Sequence, residues 1–119
     1  MLGGGTKMKF RDLLLLAATI VLPSLSSAQV VSCDLQFNLR SLESGIPVNI
    51  EFVNETEFFH NIDWIDYQGG FVAYNGLNGG ESYTQQTYVG HPWMITDGPG
   101  NCKAIFIPQG GDTKYIIRR

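Results

Sequence analysis

The chain predicts an all-β fold, a sandwich or a small barrel, on three observations. Short runs of β-branched and aromatic residues recur along it, broken by Gly, Asn and Pro at intervals of about ten residues. Beyond the N-terminal stretch no helical periodicity of useful length is present. The part of the chain that carries this pattern is about 91 residues long, enough for one small domain with little core to spare. The pattern alone does not choose between sandwich and barrel.

The first element is not expected to belong to the fold. Lys7, Lys9 and Arg11 form a basic stretch, interrupted by Asp12, ahead of the apolar run Leu13–Leu22. Pro23 and the small-residue segment Ser24-Leu25-Ser26-Ser27-Ala28 follow. Ten apolar residues are too few for a spanning helix, which needs about 20. The layout predicts a cleaved secretory signal over residues 1–28, with Ser26-x-Ala28 as the cleavage motif, and a single domain over 29–119. The mature protein is therefore expected outside the cell and free of the membrane.

Eight candidate strands follow: Val30–Leu39, Val48–Val53, Phe59–Tyr67, Phe71–Tyr74, Tyr83–Tyr88, Pro92–Thr96, Ala104–Ile107 and Lys114–Ile117. Breaks fall at Gly45-Ile46-Pro47, Gln68-Gly69-Gly70, Asn75–Gly80, Gly98-Pro99-Gly100 and Gln109–Asp112. Val48, Ile50 and Phe52 share one parity, with Asn49, Glu51 and Val53 on the other, and alternate residues of a strand leave opposite sides. His60, without a partner in sequence, is expected at an exposed strand position.

Composition narrows the chemistry. Residues 29–119 carry five basic against ten acidic side chains and no basic stripe, which argues against a nucleic-acid partner. Cys33 and Cys102 are the only cysteines. An even count behind an export signal predicts a disulfide between them, and nothing resembles a Cys-x-x-Cys redox motif. Two histidines and two bonded cysteines are too few for a typical zinc site, so neither metal nor cofactor is expected. Asn54-Glu55-Thr56 is a glycosylation sequon, a triplet that also arises by chance.

The densest chemical signal is Thr87-Tyr88-Val89-Gly90-His91-Pro92-Trp93. Residues 87, 91 and 93 share a parity, so an extended segment would present a hydroxyl, an imidazole and an indole on one face. With Trp64-Ile65-Asp66-Tyr67, Gly69, Tyr74, Leu77, Gly80-Glu81-Ser82-Tyr83 and Asp97, this segment resembles the von Hippel-Lindau β-domain family over about residues 53–108. The resemblance implies a sandwich of seven or eight strands and noncatalytic recognition of a peptide or protein carrying hydroxyproline. On that pattern Trp64, Tyr74, Thr87, Tyr88, His91 and Trp93 are the ligand-binding candidates. Aromatic walls would flank the ligand ring while Thr87 and His91 meet its hydroxyl.

Two departures from the family pattern bear on the ligand. Threonine stands at 87 where serine is usual, and Gln86 where the family has histidine. Pro92 removes a ladder donor, so a strand there is at an edge or just beginning. The family's helical domain, which recruits an elongin and a ubiquitin-ligase scaffold, has no counterpart before the chain ends at Arg119, so neither partner is expected. The plainer reading remains open: Trp64, Tyr74 and Trp93 as core aromatics, with another face binding carbohydrate or protein. A small hydrolase is a third reading, but Asp63 and Asp66 have opposite parity and do not converge on one bond.

Overall fold

The structure, a computed structural model, describes residues 26–119. The basic and apolar parts of the expected leader lie outside the described residues. Eight strands form: β1 (Ser27–Val31), β2 (Pro47–Asn54), β3 (His60–Ile65), β4 (Phe71–Leu77), β5 (Ser82–Tyr88), β6 (Trp93–Asp97), β7 (Cys102–Gly110) and β8 (Thr113–Ile117). They assemble into two sheets, ordered β1-β7-β6-β3-β4 and β5-β2-β8, and the fold is the sandwich the family resemblance implied. All pairings are antiparallel except β2 with β8. Strand β1 begins at Ser27, so Ser27 and Ala28, placed in the leader by sequence, form its first two residues.

The alternation in β2 works as expected. Val48, Ile50 and Phe52 are buried, and Ile50 and Phe52 meet Ile62, Leu77, Trp93, Ile95, Phe106 and Ile117 between the sheets. Each such side chain contributes about 1.5–3 kcal/mol on leaving water. Strand β6 is different: Trp93, Met94, Ile95 and Thr96 are all buried, so both of its faces are covered. Trp93 and Ile95 point between the sheets, whereas Met94 joins Ile65 and Ile105 in a second cluster on the other face.

A strap formed by residues 32–46 covers that second cluster, and here the expected first strand is corrected. Only Val30 and Val31 of Val30–Leu39 are strand; a one-turn 3-10 helix, Cys33–Leu35, follows. Ser32 breaks the extended run, its hydroxyl accepting the Asp34 N–H at 3.1 Å. Leu39 then packs against the Ile65-Met94-Ile105 cluster. The strap is stapled by Cys33–Cys102, with Cα atoms 5.9 Å apart and a sequence separation of 69. Closing such a loop is worth about 4 kcal/mol on the chain-entropy account.

His60 also departs from expectation. It is only 7 % exposed, with Nδ1 3.2 Å from the Phe58 carbonyl and 3.4 Å from Thr56 Oγ1. The same turn organises the sequon. Asn54 is fully buried; its Nδ2 donates to the carbonyls of Phe58 (2.8 Å) and Leu77 (3.0 Å). Its Oδ1 accepts from Thr56 N (3.0 Å) and Thr56 Oγ1 (2.7 Å). Asn54 is thus a structural clasp between the end of β2, the 55–59 turn and the end of β4.

Candidate functional site

Strands β4 and β5 are edges of different sheets, each paired on one side only. They flank an open side of the sandwich, and the 87–93 segment crosses between the sheets there. It is not extended: β5 ends at Tyr88 and β6 starts at Trp93. Gly90 takes φ +84° in the crossing, a value that favours glycine, and donates its N–H to the Pro108 carbonyl at 2.9 Å. The shared parity of Thr87, His91 and Trp93 therefore does not place them together. Convergence comes instead from a turn that brings the end of one sheet over the start of the other.

The result is a bond across the sandwich. Trp93 Nε1 donates to Thr87 Oγ1 at 3.0 Å, with both residues buried. Trp64, register partner of Trp93 on β3, donates its own Nε1 to Ser41 Oγ at 2.7 Å, and Ser41 Oγ donates to the Ile65 carbonyl at 2.6 Å. The Trp64 and His91 rings stack with centroids 5.6 Å apart and planes 25° apart. Tyr74, exposed on β4, sets its ring edge against Trp64 at 6.2 Å and Trp93 at 5.0 Å.

These side chains surround a pocket of about 280 Å³ lined by Trp64, Tyr67, Tyr74, Gln85, Gln86, Thr87, Tyr88, His91 and Trp93. All six residues singled out by sequence line it; Trp93 at the same time belongs to the core. Tyr67, Gln85 and Gln86 had not been assigned to the site. Tyr67 was placed in a strand, but β3 stops at Ile65 because the Asp66 carboxylate accepts the N–H groups of Gln68 (2.9 Å) and Gly70 (2.7 Å). The resulting turn returns the Tyr67 ring to within 5.4 Å of both Trp64 and His91. Ser41, behind the wall, was missed as well, since the strap carries no periodic signal.

The pocket is aromatic with a small polar floor. His91 is 4 % exposed, and burial pushes its imidazole below the ordinary histidine range, opposed by a hydrogen bond with the Leu42 backbone. The neutral ring is thus the resting form near neutral pH. Its Nε2 lies 3.4 Å from Tyr67 Oη. No carboxylate lines the pocket. Asp66 is committed to its turn, and burial raises the Asp63 carboxyl above its usual range.

A larger depression of about 520 Å³ lies where the start of β1 approaches β2 and β8. Its polar groups already engage one another: Asn49 N donates to Asp112 Oδ1 at 2.9 Å, and Glu51 and Lys114 pair at 3.6 Å. The smaller aromatic pocket carries the more distinctive chemistry. Among the described residues no three His, Cys, Asp or Glu side chains gather as a metal site would require. Nor, among those residues, is any helix long and apolar enough to cross a membrane.

Residues 39–108, more than half of the chain, match the family model of the VHL beta domain. The chain belongs to the VHL beta domain family. The match begins at Leu39, within the strap, and ends at Pro108 on β7, so it encloses every residue that lines the pocket. No curated protein matches the chain. The VHL beta domain family is one of noncatalytic protein-binding modules, and this chain is a member of it.

Proposed function

We propose that this VHL beta domain is an exported module that binds a peptide or protein through a hydroxylated proline. The observation that carries the reading is the floor of the pocket. Trp93 Nε1–H occupies one lone pair of Thr87 Oγ1, leaving the Thr87 hydroxyl its own proton to donate and a second lone pair to accept. The neutral His91 ring lies beside it, and Trp64, Tyr74 and Trp93 supply apolar walls. A saturated ring bearing one hydroxyl, both donor and acceptor, is the complement of such a site.

Selectivity follows from what proline would leave undone. Without the ligand hydroxyl, the proton of the buried Thr87 hydroxyl is left without an acceptor, at about 1–3 kcal/mol. That corresponds to roughly a five- to 150-fold preference for the hydroxylated ring. The extra methyl of Thr87, relative to the family's usual serine, narrows the space and favours a small ring. The open edges of β4 and β5 leave room for an extended chain on either side of the pocket. Export is supported by the leader pattern in residues 1–28 and by the disulfide, which persists in oxidising compartments.

The experiment is a titration of the oxidised protein with matched peptides containing proline or 4-hydroxyproline. The expected result is tighter binding of the hydroxylated peptide, with the preference lost in Thr87→Val and His91→Gln. Equal or absent binding of both peptides by folded protein rejects the reading. Expression in a secreting host, followed by N-terminal sequencing of the medium protein, tests export. Retention in the cell with Met1 in place rejects it.

A further inference from the structure

We propose that the Cys33–Cys102 disulfide is a redox latch on the ligand pocket, so that the pocket is assembled only in the oxidised protein. The inference rests on the pocket reading above and extends it to regulation. The strap connects the two sites. At one end Cys33 is bonded to Cys102 on β7; at the other, Ser41 and Leu42 stand directly behind the pocket wall.

Besides the disulfide, the first half of the strap is held by Leu39 on the Ile65-Met94-Ile105 cluster and by the Phe37 ring against Phe71 at 5.8 Å. The Cys33–Leu35 turn contains no buried residue, Leu35 is exposed, and Phe37 is 79 % exposed. The second half bears the contacts that shape the pocket. Ser41 N donates to the Asp66 carbonyl at 3.0 Å, fixing the turn that presents Tyr67. Ser41 Oγ receives the Trp64 indole N–H, which orients the ring stacked on His91. Leu42 N donates to the Gly90 carbonyl at 3.5 Å, next to His91, and Ser44 Oγ donates to the Val89 carbonyl at 2.8 Å.

Both cysteines are half-buried rather than sealed, so an external dithiol can reach them. Its thiolate attacks one sulfur, forming a mixed disulfide and releasing the other cysteine as a thiolate. The second thiol of the reductant then displaces the protein. The products are two cysteine thiols and the oxidised dithiol, with two electrons transferred to the protein. Once unstapled, the strap remains tethered through β2 and through β1, which still pairs with β7 as far as Val31, but loses its covalent link to β7. Ser41 is then free to leave Trp64. A protein made in a reducing compartment would acquire its ligand only after export.

The two tryptophans make the test local. Trp64 Nε1–H reports the strap through Ser41, whereas Trp93 Nε1–H reports the core through Thr87. Indole hydrogen exchange is followed by NMR on the full chain, oxidised, reduced with a dithiol, and as the Cys33→Ser/Cys102→Ser variant. The latch requires Trp64 exchange to accelerate at least ten-fold on reduction while Trp93 stays protected. Unchanged protection of both indoles, or equal loss of both, overturns it, the latter because the bond would then support the whole fold. Oxidised Ser41→Ala should reproduce the selective loss at Trp64, and an unaltered Trp64 rate there overturns the proposed route.

Parallel titrations with the proline and hydroxyproline peptides separate this proposal from the one beneath it. Hydroxyl-selective binding that weakens at least ten-fold on reduction supports both. Binding of equal strength in the two redox states overturns the latch alone. If oxidised protein binds neither peptide the ligand reading fails, and the indole pattern still decides whether the strap is redox-controlled.

Discussion

Replacing Asn54 by alanine removes four hydrogen bonds from a fully buried site, and the structure shows which groups are left stranded. The Phe58 carbonyl keeps alternatives in Thr56 Oγ1 at 3.1 Å and His60 Nδ1 at 3.2 Å. The Leu77 carbonyl and the Thr56 N–H lose their side-chain partner. At about 1–3 kcal/mol for each unsatisfied buried group, the expected loss is about 4 kcal/mol, against a total of about 5–15 for a typical domain. Asn54→Asp provides the internal control. It retains the acceptor toward Thr56 but turns a carboxylate on two carbonyl oxygens, so its folded pKa must rise above the unfolded value. The associated penalty is full at neutral pH and is relieved as pH falls, whereas Asn54→Ala responds to acid as the parent does. Urea unfolding of the oxidised proteins at pH 7 and at about pH 5 measures both effects. A loss below about 1 kcal/mol for Asn54→Ala, or identical pH profiles for the two variants, would refute the clasp. The same geometry predicts that folded protein from a glycosylating host carries no glycan at Asn54, checked by intact mass, because Nδ2 is engaged inside the fold.

Other expectations concern the pocket and its supports. Thr87→Ser should keep the bond to Trp93 and the hydroxyl preference, whereas Thr87→Val should lose the preference and about 1–3 kcal/mol of stability, read by peptide titration and urea unfolding. His91, held below its unfolded value of 6.5 by burial, makes the folded state less able to take a proton. Stability should therefore fall as pH drops through about 6.5 and level off below the folded pKa; His91→Gln removes that component, and NMR titration of the ring should give a value under 6.5. Asp97 lies below the usual carboxylate range, first through the Asn101 side chain and then through the backbone of Asn101. Its contribution is present above the unfolded pKa of about 3.8 and lost as pH falls through the folded value, so Asp97→Asn should make the acid-unfolding limb shallower. Asp63 shows the opposite sign, since burial raises its pKa. Asp63→Asn should be more stable than the parent at pH 7 by thermal unfolding, with the difference shrinking in acid.

What the sequence made legible was whatever depends on a regular period. The inward face of β2 was visible because Val48, Ile50 and Phe52 alternate with more polar residues, and turn residues marked most strand ends to within three residues. Regions without a period were misread. Val30–Leu39 looked like a strand from composition, but Ser32 and the Cys33 staple make residues 32–46 a strap. His60 gave no hint of burial because its partners, Thr56 and the Phe58 carbonyl, belong to a local turn. At the site, the six residues do surround one pocket, but the shared parity proposed for three of them was the wrong cause. Gly90 turns the chain, and the second sheet brings Trp93 to Thr87. Tyr67 and Ser41 required knowledge of where β3 stops and what lies behind it.

The bond between Trp93 and Thr87 also constrains how this binding module can diverge. Its two ends sit in different sheets, and Trp93 packs against Phe52 with ring centroids 6.2 Å apart. A change of floor residue is thus tested by folding before any ligand is encountered. Rim positions such as Gln86 and Tyr88 carry no comparable burden, since both are exposed. Drift in specificity should accumulate at the rim, while the floor admits only replacements that preserve a hydroxyl facing an indole. A lineage exploring new ligands would keep the base of this cavity and rewrite its mouth.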